Sequence, residues 1–237
     1  MVKITFDFSS LKDFSNLSHG ERLLEILFSH GFMIDKADDA EPIRRDFDAS
    51  MLPERWKGVG PAGGHSTCYF LFKGQKERKF SGMVTWNINL RQGTQVFNGL
   101  LFQLNIPKNF EVNRLINLGD ELFKWSDAVY GYITEDSKDL VRTVPGGLYL
   151  GLPGLMWVNY FGPEYIKGPD FHIPDDHVAV GQGVRVCLSD KPSDDILGDS
   201  DFLQNWKEHF GAEWFWKGSK KRRIPSFDHS ALIRSEQ

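Results

Sequence analysis

The sequence predicts an α+β fold, a mainly antiparallel sheet covered by helices, on three observations. Segments in which apolar and polar residues alternate with period two recur along the chain, and stretches with apolar residues three and four apart lie among them. The two kinds do not alternate regularly, as β-α-β units would. At 237 residues the chain suffices for a single domain, 1–237, with a large core. A looser repetition of strands followed by a helix suggests two similar halves, about 1–135 and 145–216, with a basic C-terminal tail.

The opening VKITFDFSS alternates as a strand and has neither the basic start nor the unbroken apolar run of a leader peptide, so the expected location is the cytoplasm. Ser18 and Glu21 form a capping box, and Leu23, Leu24, Leu27 and Phe28 follow on one helical face until Gly31, which predicts a helix over about 18–30. Phe32–Ile34 reads as a short strand. Residues 35–64, rich in Pro and Gly, read as loop with one helical turn. Thr67–Phe72, then Gly82 to Leu90, then Val96 to Ile106 read as three strands of a meander. Val112, Leu115, Ile116, Gly119, Leu122 and Phe123 have helical spacing, predicting a helix over about 110–126 and a strand at Val129–Thr134 after it. Leu155–Tyr160 and Gly183–Leu188 read as strands and about 200–210 as a helix. Residues after Ser226 read as a weakly ordered tail. Trp86, Phe102, Leu122 and Trp157 are expected in the core.

Apolar residues make up 41% of the chain and aromatics 14%, so the core is expected to be aromatic. No apolar run approaches the ~18 residues needed to cross a bilayer, and no membrane partner is expected. Cys68 and Cys187 are too few for a disulfide framework or a zinc site and read as small hydrophobes on strands. The net charge is −4, yet KGSKKRR at 217–223 carries five positive charges, so the remainder sums to −9. An acidic body repels nucleic acid and attracts basic protein surfaces. The basic run supports only weak, salt-sensitive nucleic-acid binding, and specific binding is not expected.

Motifs for catalysis are sparse. The chain has no P-loop, GxSxG elbow, HExxH or cysteine-rich metal spacing. His65-Ser66-Thr67 resembles half of a two-histidine phosphoesterase signature, but that chemistry needs a second histidine as partner acid, and His172, His177 and His229 lack the motif. Asp170, His172, Asp175, Asp176 and His177 could in principle hold a cation, although aspartates in such loops ordinarily bond their own backbone. The expectation is therefore no catalytic residues, no metal and no cofactor.

The blocks GLMWVNYFGPEYI (154–166), GVRVCLSDKPSDD (183–195) and FLQNWKEHFG (202–211) carry a resemblance. In their order they are similar to the strand, Gly-Pro turn, strand and final helix of immunity protein 52, a family of bacterial polymorphic-toxin systems related to type VI secretion immunity proteins. The similarity runs over roughly 67–216. It implies a protein that binds and neutralises a cognate toxin, often a nuclease, without catalysis. For the binding surface, the clustering of acidic residues in the second half selects Asp175, Asp176, Asp194, Asp195, Asp199 and Asp201, around an aromatic anchor at Trp214 and Trp216. Competing readings are an enzyme acting on a phosphodiester or nucleotide through His65, and a non-catalytic interaction protein of a mobile element.

Overall fold

The computed structural model describes residues 1–57, 66–74, 79–88, 90, 95–107, 110–135, 147–192, 200–216 and 221–233. Its strands are β1 (Val2–Ser10), β2 (Lys36–Asp38), β3 (Ser66–Gly74), β4 (Phe80–Ile88), β5 (Asn98–Ile106), β6 (Ala128–Glu135), β7 (Val158–Phe161), β8 (Val178–Val180) and β9 (Gly183–Cys187). The helices are α1 (Leu17–Ser29), α2 (Leu52–Arg55), α3 (Val112–Ser126), α4 (Pro163–Ile166) and α5 (Ser200–Phe210). All nine strands join one antiparallel sheet in the order β2-β3-β4-β5-β1-β6-β7-β9-β8. The fold is thus α+β, with the expected meander intact as β3-β4-β5 and the chain's first strand at the centre. Among the described residues no helix is long and apolar enough to cross a membrane.

One face of the sheet lies against the helices. Register aligns Phe70, Val84, Leu100, Phe8, Gly131, Tyr160 and Arg185 across seven strands, and α1 and α3 pack over this face. Two of its glycines are dictated by neighbouring rings. Gly82 lies opposite Phe72 and Gly131 opposite Phe8, and a Cβ at either would stand 2.2 or 2.1 Å from ring carbons. A ring lying over a cross-strand glycine fills the space that a side chain would take. Trp86, Phe102, Leu122 and Trp157 are all buried, as expected from the alternation.

The second apolar cluster fills the opposite face, only over β6, β7 and β9. It is built from Tyr130, Phe161, Val184 and Val186 of the sheet, with Tyr165 of α4, Phe171, Leu203 and Phe210 of α5, and Trp214. The C-terminal segment closes it. Phe227 meets Phe97 and Tyr149 edge-on, His229 Nε2 lies 2.5 Å from the Tyr149 hydroxyl, and Leu232 is buried. The expectation of a weakly ordered tail after Ser226 is thereby corrected as far as Ile233, because these anchors dock it.

Local differences have local causes. Asn16, not Ser18, caps α1: its Oδ1 accepts the Ser18 N–H at 3.0 Å, so the helix begins at Leu17. The buried stripe of α1 is Gly20, Leu23, Ile26 and Leu27, and Phe28 is 65% exposed. Phe32 does not start a strand. Gly31 takes φ 78° at the helix end, the Phe32 N–H bonds Leu27 O at 2.8 Å, and the ring sits edge-on against Phe80 and Phe102. β7 begins at Val158 rather than Leu155, since the Asn159 side chain bonds both backbone groups of Met156, at 2.9 and 2.7 Å, in a turn. The loop before β3 is anchored by Trp56, stacked on Trp86 at 4.9 Å with its indole N–H donating to Phe14 O.

Candidate functional site

The acidic loop between α4 and β8 and the outer side of α5 form one surface. Asp175 lines a shallow groove of about 260 Å³ with Pro174, Asn205, Trp206 and His209. Residues four apart on a helix share a face, so Asp201, Asn205 and His209 make one stripe of α5 beside that groove. Asp175, Asp176 and Asp201 are exposed. The half-buried Trp206 packs its ring near Phe202, His209 and Phe210 at 6.0 to 6.3 Å. The result is an indole beside an acidic rim. Turn structure within the loop is local: His177 Nδ1 lies 2.7 Å from Pro174 O.

Other sequence-selected residues are placed differently. Asp194, Asp195 and Asp199 lie outside the described residues, as does His65. Trp214 is 2% exposed, its ring wedged against Tyr165 and Phe171, which makes it a core side chain rather than a surface anchor. Trp216 is half-buried, and its backbone N–H donates to Leu152 O at 3.0 Å. Asp170, His172, Asp175, Asp176 and His177 are not gathered: among the described residues no three such donors meet around a common point. Asp170 instead pairs with Arg223 at 2.7 Å. Within the basic run, Lys221 and Arg222 are exposed, while Arg223 also reaches Glu213 at 3.2 Å and Pro169 O at 2.8 Å. One of those five charges therefore fastens the C-terminal segment.

A polar network sits under α3 on the helix face. Asp120 accepts the Tyr160 hydroxyl at 3.0 Å and pairs with Arg185. Cys187, half-buried beside them, has its thiol pKa raised by burial, against the pull of Arg185. Burial likewise raises the Tyr160 hydroxyl, and the Asp120 carboxylate adds to the shift. The ion pair runs through one guanidinium nitrogen, and the buried Arg185 Nε has no hydrogen-bond partner among the described residues. The pair braces α3 against β7 and β9.

Among the described residues, the face of β3-β4-β5-β1 away from the helices is partly exposed, with Leu71 and Thr5 buried in it. Register sets its rows as Tyr69–Thr85–Gly99–Ser9, then Leu71–Met83–Leu101–Asp7–Tyr132, then Lys73–Ser81–Gln103–Thr5. Asp7 stands half-buried where this face meets the second cluster. Burial pushes its carboxyl up to about 6, and the hydrogen bond from Tyr132, 3.0 Å away, works against that rise.

Sequence reasoning did not single out Trp206 and His209 as surface groups. The four-residue spacing of Asp201, Asn205 and His209 was the available signal. No family model matches the chain, and no curated protein matches it. Among solved structures, it is similar in chain course to the Pseudomonas aeruginosa T6SS protein PA0821, at 13% identity and a TM-score of 0.48, over 88% of this chain and 75% of that one. A likeness of that size leaves function to be argued from the residues themselves.

Proposed function

We propose that the protein is a cytoplasmic immunity protein that binds a cognate toxin through the acidic end of the sheet and blocks it without catalysis. One observation carries the reading: Asp175 lines a groove with Trp206 and His209, and Asp176 and Asp201 add exposed carboxylates nearby. An aromatic at the centre of an acidic rim suits a basic partner, because the rim charges speed encounter while the desolvated ring supplies affinity. The order of the blocks at 154–166, 183–195 and 202–211, similar to immunity protein 52, supports the same reading. A nuclease that grips phosphate with Lys and Arg is the kind of toxin such a rim covers.

The test is a search for a toxin gene beside this one and co-expression with it, followed by pull-down and association kinetics. Wild-type chain protects the cells. Asp175→Lys with Asp176→Lys slows association roughly tenfold at low salt and flattens its salt dependence, and Trp206→Ala weakens binding by about 2 kcal/mol. His65→Ala leaves protection intact. Loss of both protection and a phosphodiesterase activity on that substitution would restore the enzyme reading, and the absence of any neighbouring toxin gene would remove the immunity reading.

A further inference from the structure

The partly exposed face of β3-β4-β5-β1 ends in a lysine-lined depression far from the acidic groove in sheet order. Lys73 closes β3, Lys79 precedes β4, and Lys3 lies on β1; between them Ser81, Gln103 and Asn105 form the floor of a cavity of about 550 Å³. Register explains the convergence. Lys73 lies opposite Ser81, Ser81 opposite Gln103, and Lys3 opposite Asn105, whose backbone N–H bonds Lys79 O at 3.1 Å. Gln103 is itself oriented, donating from Nε2 to the Thr5 hydroxyl at 3.2 Å. Among the described residues no carboxylate lines the depression, and neither Lys73 nor Lys79 forms a side-chain ion pair.

Lys73 and Lys79, with Lys3 beside them, put like charges on one small area of a chain with net charge −4, and like charges at 4 Å repel by about 1 kcal/mol even in water. An anion of multiple charge converts that repulsion into attraction. Lysine ammonium groups are mobile point charges with three donors each, suited to tetrahedral phosphate oxygens, and the hydroxyl and amide floor offers further donors. The row above the floor, Leu71–Met83–Leu101, is apolar, and Met83 and Leu101 beside the buried Leu71 are partly exposed, giving an organic substituent a surface to lie on. We infer that this depression binds a small phosphate-bearing polyanion of diphosphate type, with its organic part along Met83 and Leu101. The site is independent of toxin binding at the opposite end.

The experiment uses the full chain and two probes, inorganic pyrophosphate and ADP, followed by amide chemical-shift mapping and thermal shift. Pyrophosphate should move the resonances of Lys73, Ser81, Gln103 and Asn105 with millimolar or tighter affinity and raise Tm, and ADP should in addition move Met83 and Leu101. Lys73→Gln with Lys79→Gln should weaken pyrophosphate at least tenfold while the unliganded Tm stays unchanged. Arg222→Gln, at another basic position, should leave binding as in wild type. Absence of shifts, shifts confined to other surfaces, or equal weakening by Arg222→Gln would overturn the site. So would binding of a poly-glutamate peptide there without any response to pyrophosphate, since that outcome marks a protein-docking surface.

Discussion

The two apolar clusters of this protein use similar side chains on opposite faces of one sheet, yet they are closed in different ways. The first is covered mainly by α1 and α3, whose apolar stripes repeat every three to four residues, with Phe47, Leu52 and Trp56 added over β3 and β4. The second is covered by the four-residue α4, 3-10 turns at 147–150 and 212–214, α5 and the extended 221–233 segment. A helix satisfies its own backbone and brings a ready apolar face, whereas irregular cover must place each polar group individually. Buried groups without partners occur in both, the Trp86 indole nitrogen in the first cluster and the Trp214 indole nitrogen and Tyr165 hydroxyl in the second, so the difference lies in the regularity of the cover. The first cluster is therefore expected to hold the global stability and the second to open earlier.

The comparison breaks most directly at one phenylalanine in each cluster. Phe102 and Phe210 are both fully buried. Phe102→Ala should cost about 3–5 kcal/mol in urea unfolding and loosen the whole sheet. Phe210→Ala should cost about 3 kcal/mol or less by the same measure, and hydrogen exchange should accelerate across 147–233 while β3, β4 and β5 stay protected. Equal acceleration everywhere would make the two clusters one cooperative unit.

A smaller effect sharpens the account of the helix face. Gly131→Ala sets a methyl against the Phe8 ring and should destabilise by about 2 kcal/mol, with Phe8→Leu in the same chain recovering part of the loss. Asp7, at the seam between the clusters, titrates the comparison. Its folded carboxyl sits at about 6, above the unfolded 3.8, so the folded state holds the proton more tightly and the wild type loses stability as pH rises from about 4 to 6. Asp7→Asn should match the wild type below pH 4 and exceed it above pH 6, by no more than about 2 kcal/mol given partial exposure to solvent, as read from Tm against pH. The smallest effect is expected from Arg223→Met. Its partners are surface carboxylates, so stability should fall by less than about 1 kcal/mol, but limited proteolysis of 221–233 should quicken.

What could be read in advance follows the same division. The meander, α3, α5 and the burial of Trp86, Phe102, Leu122 and Trp157 were legible because alternation and helical stripes are local signals. Strand order was not, since nothing near Val2–Ser10 announces that it pairs with residues a hundred positions away. Trp214 illustrates the limit for the site. Two tryptophans and a phenylalanine beside a basic run look like an exposed anchor, and only Tyr165 and Phe171, from a distant turn, make Trp214 core. The groove at Asp175 brings residues thirty positions apart together, and its aromatic, Trp206, was visible in the sequence only as one side of a helix.

The central place of β1 also sets a timetable. During synthesis the strand carrying Ile4, Phe6 and Phe8 leaves the ribosome first, but Val2 pairs with Ile106, and the other edge waits for residues up to Glu135. At cellular elongation rates that interval is on the order of ten seconds. Throughout it, an apolar strand has both hydrogen-bonding edges open, the arrangement most prone to pair with another nascent chain. Yield of this protein should accordingly depend on chaperones that hold short apolar segments early in translation, and on lower temperature or slower expression, more than on the stability of the finished fold.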